Sequence, residues 1–323
     1  MKIKKILITI LIFFFLTACQ KEKATSVFEK QISDTDNTLQ AAFFLNENIG
    51  YVCGGVQYTE STMLKTEDAG QTWEMQDVSE VEKMIFDVFF LNADTGFAVT
   101  HGMKILRTYD AGNSWQILQQ YVAEKPWLPL RAIQFVDENV GFVAGGIGYS
   151  QGIIYKTTNG GDTWQYEWFE QELRDIFFIN EHIGFACGYG AIYKTENAGE
   201  TWILQDVKGD FFLSIHFPTA EIGYAVGNQG LIVKTEDAGE TWQTIKRVKA
   251  TSINRPILED VFFVDENVGF VAGKNLFWQT QDGGCAWHQL EAIDFAKFYG
   301  MFIFENENGF VVGENGNIVR FEL

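Results

Sequence analysis

Residues 173–202 read LRDIFFINEHIGFACGYGAIYKTENAGETW. The stretch contains three apolar runs, LRDIFF, GFACG and AIYKT, each too short for a stable helix, rich in β-branched and aromatic residues, and bounded by Asn and Gly. A fourth run starts at Trp202, the last residue of the polar octet TENAGETW. This is four short strands joined by tight turns.

The same unit runs along the chain. Copies of the first two strands begin at Leu39, Ile85, Leu130, Leu173, Phe212, Leu258 and Phe298, and all seven align without a gap. The octet recurs as TEDAGQTW (66–73), TYDAGNSW (108–115), TTNGGDTW (157–164), TENAGETW (195–202), TEDAGETW (235–242) and TQDGGCAW (280–287). Four-stranded units of roughly 40 residues, repeated seven times, are the signature of a β-propeller, in which radial packing buries both sheet faces. The expected fold is therefore all-β, one seven-bladed propeller over residues 26–323, with four strands (A to D, from the axis outward) per blade. The Gly that follows each A strand, such as Gly50 or Gly184, is expected to supply a positive φ in the A-to-B turn. The seventh unit stops at IVRFEL, one strand short, and FEKQISD from Phe28 matches WEMQDVS from Trp73. The N-terminal segment 26–33 is thus expected to complete the last blade and close the ring, removing an exposed edge.

The octet resembles the Asp-box, or BNR, repeat of sialidases and other propellers. Its acidic position carries Asp68, Asp110, Asn159, Asn197, Asp237 and Asp282. An amide serves as well as a carboxylate if the side chain only accepts backbone N–H bonds in the turn, whereas catalysis or acid chemistry would not tolerate Asn or need six copies. These residues are read as structural. The column before the octet Thr, comprising Lys65, Arg107, Lys156, Lys194, Lys234 and, in the last unit, Arg320, with Gln279 as the exception, is expected to pair with nearby carboxylates.

Together, seven units, the FFxNxxxGFxxG strand pair and the Asp-box resemble the photosystem II stability/assembly factor family, including its non-photosynthetic bacterial members. The resemblance covers residues 26–323. It implies a non-catalytic scaffold that binds a protein partner during membrane-protein assembly. The photosynthetic members share an arginine-rich surface patch, whereas this chain has six Arg in all, so the resemblance does not carry over a photosystem partner.

A-to-B and C-to-D turns lie on one face of such a ring, and the variable B-to-C and D-to-A loops on the other. Variable loops on a rigid scaffold are where binding residues collect. Trp127, Trp168, Arg247 and Arg255 are candidates there. At the channel mouth, the aligned A-strand positions carry Gln40, Phe86, Arg131, Arg174, Leu213, Glu259 and Tyr299, followed by a column containing Asp87, Asp175 and Asp260. By the period of two, one column should face the channel and the other the sheet interior. Arg131, Arg174, Glu259 and Tyr299 form either a ligand site or a self-neutralising ring of charges. The alternative function is a sialidase-like glycosidase or a glycan-binding propeller. A sialidase needs an arginine triad, a Tyr nucleophile with its Glu partner, and an acid, and a third Arg could come only from Arg247 or Arg255.

Residues 1–18, MKIKKILITILIFFFLTA, have a basic start and a 13-residue apolar run from Ile6 to Ala18, short for a membrane span and suited to a signal peptide. With Cys19, the segment LTAC resembles a bacterial lipobox, implying cleavage after Ala18, a lipid on Cys19, and a tether over 19–25. The expected site is the cell envelope, on the periplasmic or outer-membrane side. Loss of three lysines would take the formal charge from −19 to −22, which disfavours nucleic acid as a partner. Cys53, Cys187 and Cys285 are read as packing residues, and neither they nor the four scattered His have metal-ligand spacing, so no cofactor is expected.

Overall fold

The computed structural model describes residues 26–119, 127–207, 209, 211–248, 256–290 and 297–323. The signal, Cys19 and the tether lie outside these residues. The described strands form seven separate four-stranded antiparallel sheets. Blade 1 runs Thr38–Phe44, Gly50–Val56, Glu60–Thr66 and Glu74–Met75, each strand pairing with the next. The other A strands are Ile85–Phe90, Leu130–Phe135, Leu173–Phe178, Phe212–His216, Leu258–Phe263 and Phe298–Ile303. Each A strand touches the A strand of the next blade, and that of blade 7 touches that of blade 1, so the ring closes.

Closure comes from the N-terminus, as the repeat requires. Val27–Gln31 pairs antiparallel with Ile318–Glu322, Glu29 lying opposite Arg320 as Glu74 lies opposite Lys65 in blade 1. Phe28 thereby takes the box Trp position and stacks on Phe321, with ring centroids 6.1 Å apart.

The blades are cemented by aromatic pairs. The B-strand ring of one blade stacks on the last A-strand ring of the next: Tyr51 on Phe90 (3.9 Å), Phe97 on Phe135 (4.4 Å), Phe142 on Phe178 (3.9 Å), Phe185 on Phe217 (4.2 Å) and Tyr224 on Phe263 (3.7 Å). Phe310 and Phe44 join blade 7 to blade 1 at 4.5 Å. Each such pair contributes about 1 kcal/mol beyond the area it buries. These contacts correct the reading of the conserved-position glycines. Gly50, Gly96, Gly141, Gly184, Gly223, Gly269 and Gly309 have no positive φ. They open the B strands, where a Cβ on Gly96 would lie 2.6 Å from the Phe90 ring, and one on Gly184 2.6 Å from Phe178. At six of the seven the requirement is space for a ring, and at Gly309 a Cβ would lie 2.2 Å from the Phe302 carbonyl oxygen.

Left-handed backbone occurs instead inside the boxes, at pairs such as Ala69 (φ 60) and Gly70 (φ 80). There Asp68 accepts the Thr72 N–H at 2.8 Å and the Thr72 hydroxyl at 2.6 Å, while the Thr66 hydroxyl oxygen accepts the Gly70 N–H at 2.8 Å. Asn159 and Asn197 accept the equivalent N–H groups of Thr163 and Thr201 at 3.0 Å. The Thr72 donors hold the Asp68 carboxyl below the usual range. All six members of the basic column are paired, three of them across a blade boundary: Arg107 with Asp162 (2.7 Å), Lys156 with Glu200, and Lys194 with Glu240 (2.5 Å). Cys53 and Cys187 are buried, and desolvation pushes their thiols up, but Cys285 is exposed and is not a packing residue.

The channel mouth as candidate functional site

The two A-strand columns do not divide between channel and interior. Every A strand carries a β-bulge at the mouth, between Leu39 and Ala41 in blade 1 and at the equivalent place in the other six. The bulged residues are the first column: Gln40, Phe86, Arg131, Arg174, Leu213, Glu259 and Tyr299. An extra residue on one strand breaks the alternation locally. Both columns therefore line one cup of about 190 Å³ on the channel axis.

Asp87, Asp175 and Asp260 form its lower wall, on blades 2, 4 and 6. Each accepts the N–H of the following residue and, with its second oxygen, an N–H from the next blade. These are Val88 and Ile133 for Asp87, Ile176 and Ile215 for Asp175, and Val261 and Met301 for Asp260, all at 2.8–2.9 Å. The Ser214 hydroxyl also donates to Asp260 at 2.8 Å. Burial raises these carboxyls to about 8 for Asp87, about 6 for Asp175 and about 7 for Asp260, and outweighs the hydrogen bonds. One layer deeper, Phe43 meets Phe89 (5.3 Å) and Phe302 (6.0 Å), and His216 meets Phe177 (4.9 Å) and Phe262 (4.6 Å). Burial lowers His216 to about 3, so it is neutral.

The upper wall is not the closed charge ring that one alternative anticipated. Arg174 pairs with the buried Glu172 (3.4 Å), and Glu259 pairs with Lys297 (2.8 Å), whose ammonium lies over the Tyr299 ring at 4.1 Å. The Tyr299 hydroxyl donates to Glu314 at 3.2 Å. Arg131 has no ion pair or hydrogen bond among the described residues. Its guanidinium stacks on Phe86 at 4.1 Å, and its buried Nε has no partner.

Around the cup stands a rim of aromatic side chains from the B-to-C hairpins, which sequence reading overlooked. Tyr58 (64% exposed), Tyr149 (58%) and Tyr189 (46%) project from blades 1, 3 and 4. Tyr149 meets Tyr189 at 4.7 Å, both meet Phe211, and Tyr58 meets the ring of the buried His101 at 4.8 Å. Their signal in the sequence was weak, because each is a single residue in a hairpin of irregular length. Trp127 is exposed in the D-to-A connection before blade 3. Trp168 and Arg247 are not in loops: they lie in the outer strands Gln165–Phe169 of blade 3 and Gln243–Arg247 of blade 5, away from the cup. Arg255 lies outside the described residues. The cup thus holds two arginines, Arg131 and Arg174, among the described residues.

Comparison with known proteins agrees with this architecture. The family described as photosynthesis system II assembly factor YCF48 matches at residues 20–168, 78–211 and 204–292. The chain is 22% identical to the photosystem II stability/assembly factor HCF136, chloroplastic, of Arabidopsis thaliana, over 88% of this chain and 75% of that one. A solved structure of YCF48 bound to D1 peptide superposes with a TM-score of 0.70 at 21% identity, covering 92% of this chain and 97% of the other. A streptogramin B lyase reaches a TM-score of 0.73 at 10% identity over 92% and 98%, so the shared fold alone does not decide between binding and catalysis. The family match spans most of the repeat, and on it the chain belongs to the photosynthesis system II assembly factor YCF48 family.

Proposed function

We propose that this protein is a non-catalytic propeller that holds a segment of a partner protein on its channel-mouth face, and that lipidated Cys19 tethers it in the bacterial cell envelope, where it assists membrane-protein assembly. The observation that carries this reading is the arc of exposed Tyr58, Tyr149 and Tyr189 around a cup that contains Arg131, which has no ion pair or hydrogen bond among the described residues. Tyr and Arg are the residue types that dominate protein-binding hot spots. Membership of an assembly-factor family, with a relative solved holding a peptide, supports it. The tether follows from the lipobox-like LTAC at Leu16 to Cys19.

The glycosidase reading has less support. Its three arginines are not assembled among the described residues, and Tyr299 donates to Glu314, not to Glu259. Crosslinking on envelope membranes, comparing wild type with a Tyr149→Ala/Tyr189→Ala variant, tests the proposal. One specific protein should be recovered with wild type and lost with the variant. Recovery that ignores the rim, together with hydrolysis of a fluorogenic sialoside abolished by Tyr299→Phe, would overturn it.

A further inference from the structure

We infer that the cup at the channel mouth is a carboxylate-binding site in which Arg131 is the recognition residue. The inference rests on the binding reading above and says what chemistry the bound group must carry.

The cations that could compete are already committed. Arg174 is held by Glu172 and Lys297 by Glu259, while the basic column is spent on carboxylates of the opposite face. Arg131 alone lines the cup with neither an ion pair nor a hydrogen bond among the described residues. Phe86 covers one face of its guanidinium at 4.1 Å, and the planar N–H edge, including the buried Nε, makes no hydrogen bond among the described residues. That edge matches a carboxylate, which it can grip through two parallel bonds.

The electrostatics of Arg131 itself favour an anion beside it. Desolvation, then the like charge of Arg174, destabilise the cationic form of Arg131, and the charges of Glu172 and Glu259, with Tyr58, oppose them less strongly. A bound carboxylate would offset both costs. Of the three aspartates below, Asp87, raised to about 8, is protonated at neutral pH, whereas Asp175, at about 6, is ionised, and Arg131 must outweigh its repulsion. Their oxygens are engaged by backbone N–H groups, and burial holds the carboxyls well above the usual range. His101, beside Phe86, is buried and neutral, lowered to about 4 by that burial.

Size sets the rest of the ligand. A cup of about 190 Å³ admits a carboxylate and a short apolar stem, not a folded element. The body of the ligand must then lie across the rim of Tyr58, Tyr149 and Tyr189. A free organic acid with an apolar tail and an acidic group on a polypeptide present the same chemistry.

Titration calorimetry at low salt on the mature protein separates them. The probes are 3-phenylpropionate, its neutral amide, a doubly capped Leu-flanked peptide with one central Glu, and the same peptide with Gln. At least one carboxylate probe should saturate, with its neutral counterpart at least about tenfold weaker, and Arg131→Gln should lose at least about tenfold. Binding of the small acid alone assigns a free acid, and binding of the Glu peptide assigns a protein group. Arg131→Lys should bind more weakly than wild type, since it keeps charge without the fork. If neither acid saturates, if acid and amide bind equally, or if folded Arg131→Gln binds like wild type, the inference fails. Comparing acid with amide on wild type needs no variant, so a misfolded Arg131→Gln leaves the test intact. Rim-dependent crosslinking that persists without carboxylate binding sinks this inference alone, and carboxylate binding without crosslinking sinks only the partner reading.

Discussion

Asp87 on blade 2 and Ile133 on blade 3 are joined across the blade boundary, the Ile133 N–H donating to Asp87 Oδ2 at 2.9 Å. Asp175 with Ile215 and Asp260 with Met301 repeat the bond two and four blades on. Each A-strand bulge breaks the local hydrogen-bond ladder, and the aspartates accept N–H groups beside it. The channel wall is thus stapled at three alternate boundaries by side chains that also shape the ligand cup.

Truncating this staple should destabilise the ring. Asp87→Ala leaves the Val88 and Ile133 N–H groups without their acceptors and is expected to cost about 1–3 kcal/mol in urea unfolding. A variant as stable as wild type would show that the staple is not needed.

Stability should also depend on pH through the same residue. The Asp87 carboxyl is raised from 3.8 to about 8, so between those values the folded chain retains a proton that the unfolded chain releases. Its contribution is complete below pH 3.8 and is lost as pH rises through about 8. Wild type should therefore lose stability relative to Asp87→Asn from pH 5 to 8, on the order of 1 kcal/mol per pH unit. A gap that stays constant across urea melts at pH 5, 6.5 and 8 would contradict the assignment.

Gly96 is needed for space. A Cβ there would sit 2.6 Å from the Phe90 ring, which itself stacks on Tyr51 at 3.9 Å. Gly96→Ala should destabilise by about 1–3 kcal/mol, and a second change, Phe90→Leu, should recover part of that loss. Simple additivity of the two in unfolding experiments would argue against the clash.

Deleting residues 1–33 removes the strand Val27–Gln31 and bares the edge of Ile318–Glu322. The expected outcome is a lower melting temperature and aggregates on size exclusion, because an unpaired edge is a template for association. A monomeric product with unchanged melting would mean that closure contributes little.

Box residues should follow hydrogen-bonding capacity rather than charge. Asp237 accepts the N–H and hydroxyl of Thr241, as Asn197 accepts the N–H of Thr201. Melting temperatures should rank Asp237→Ala below Asp237→Asn, with the latter close to wild type.

Much of this was legible in one repeat. Seven aligned units announced the blades, and the match of FEKQISD to WEMQDVS announced which strand closes the ring, because strand pairing follows local pattern. The basic column was readable for the same reason: Lys65, Arg107, Lys156, Lys194 and Lys234 each precede an octet, and Arg320 holds the same place in the last unit, with carboxylates nearby. What misled was local geometry. Period-two alternation placed Asp87 and Phe86 on opposite sides, and a bulge puts both at the cup. A Gly after a polar turn suggested positive φ, and the ring of Phe90 supplies the reason instead. Trp168 and Arg247 looked like loop residues because outer strands are solvent-exposed and lack an apolar pattern.

By itself, then, the sequence determined the blade count, the strand order and the closure, since each is written in a repeat that every blade must satisfy. Only the tertiary structure decided which single side chains meet on the axis. Arg131 has no ion pair or hydrogen bond among the described residues because Glu172 is paired with Arg174 and Glu259 with Lys297, and the tyrosine rim exists because hairpins from separate blades converge there. The Glu259–Lys297 and Tyr149–Tyr189 contacts join residues tens of positions apart, and no repeat specifies them.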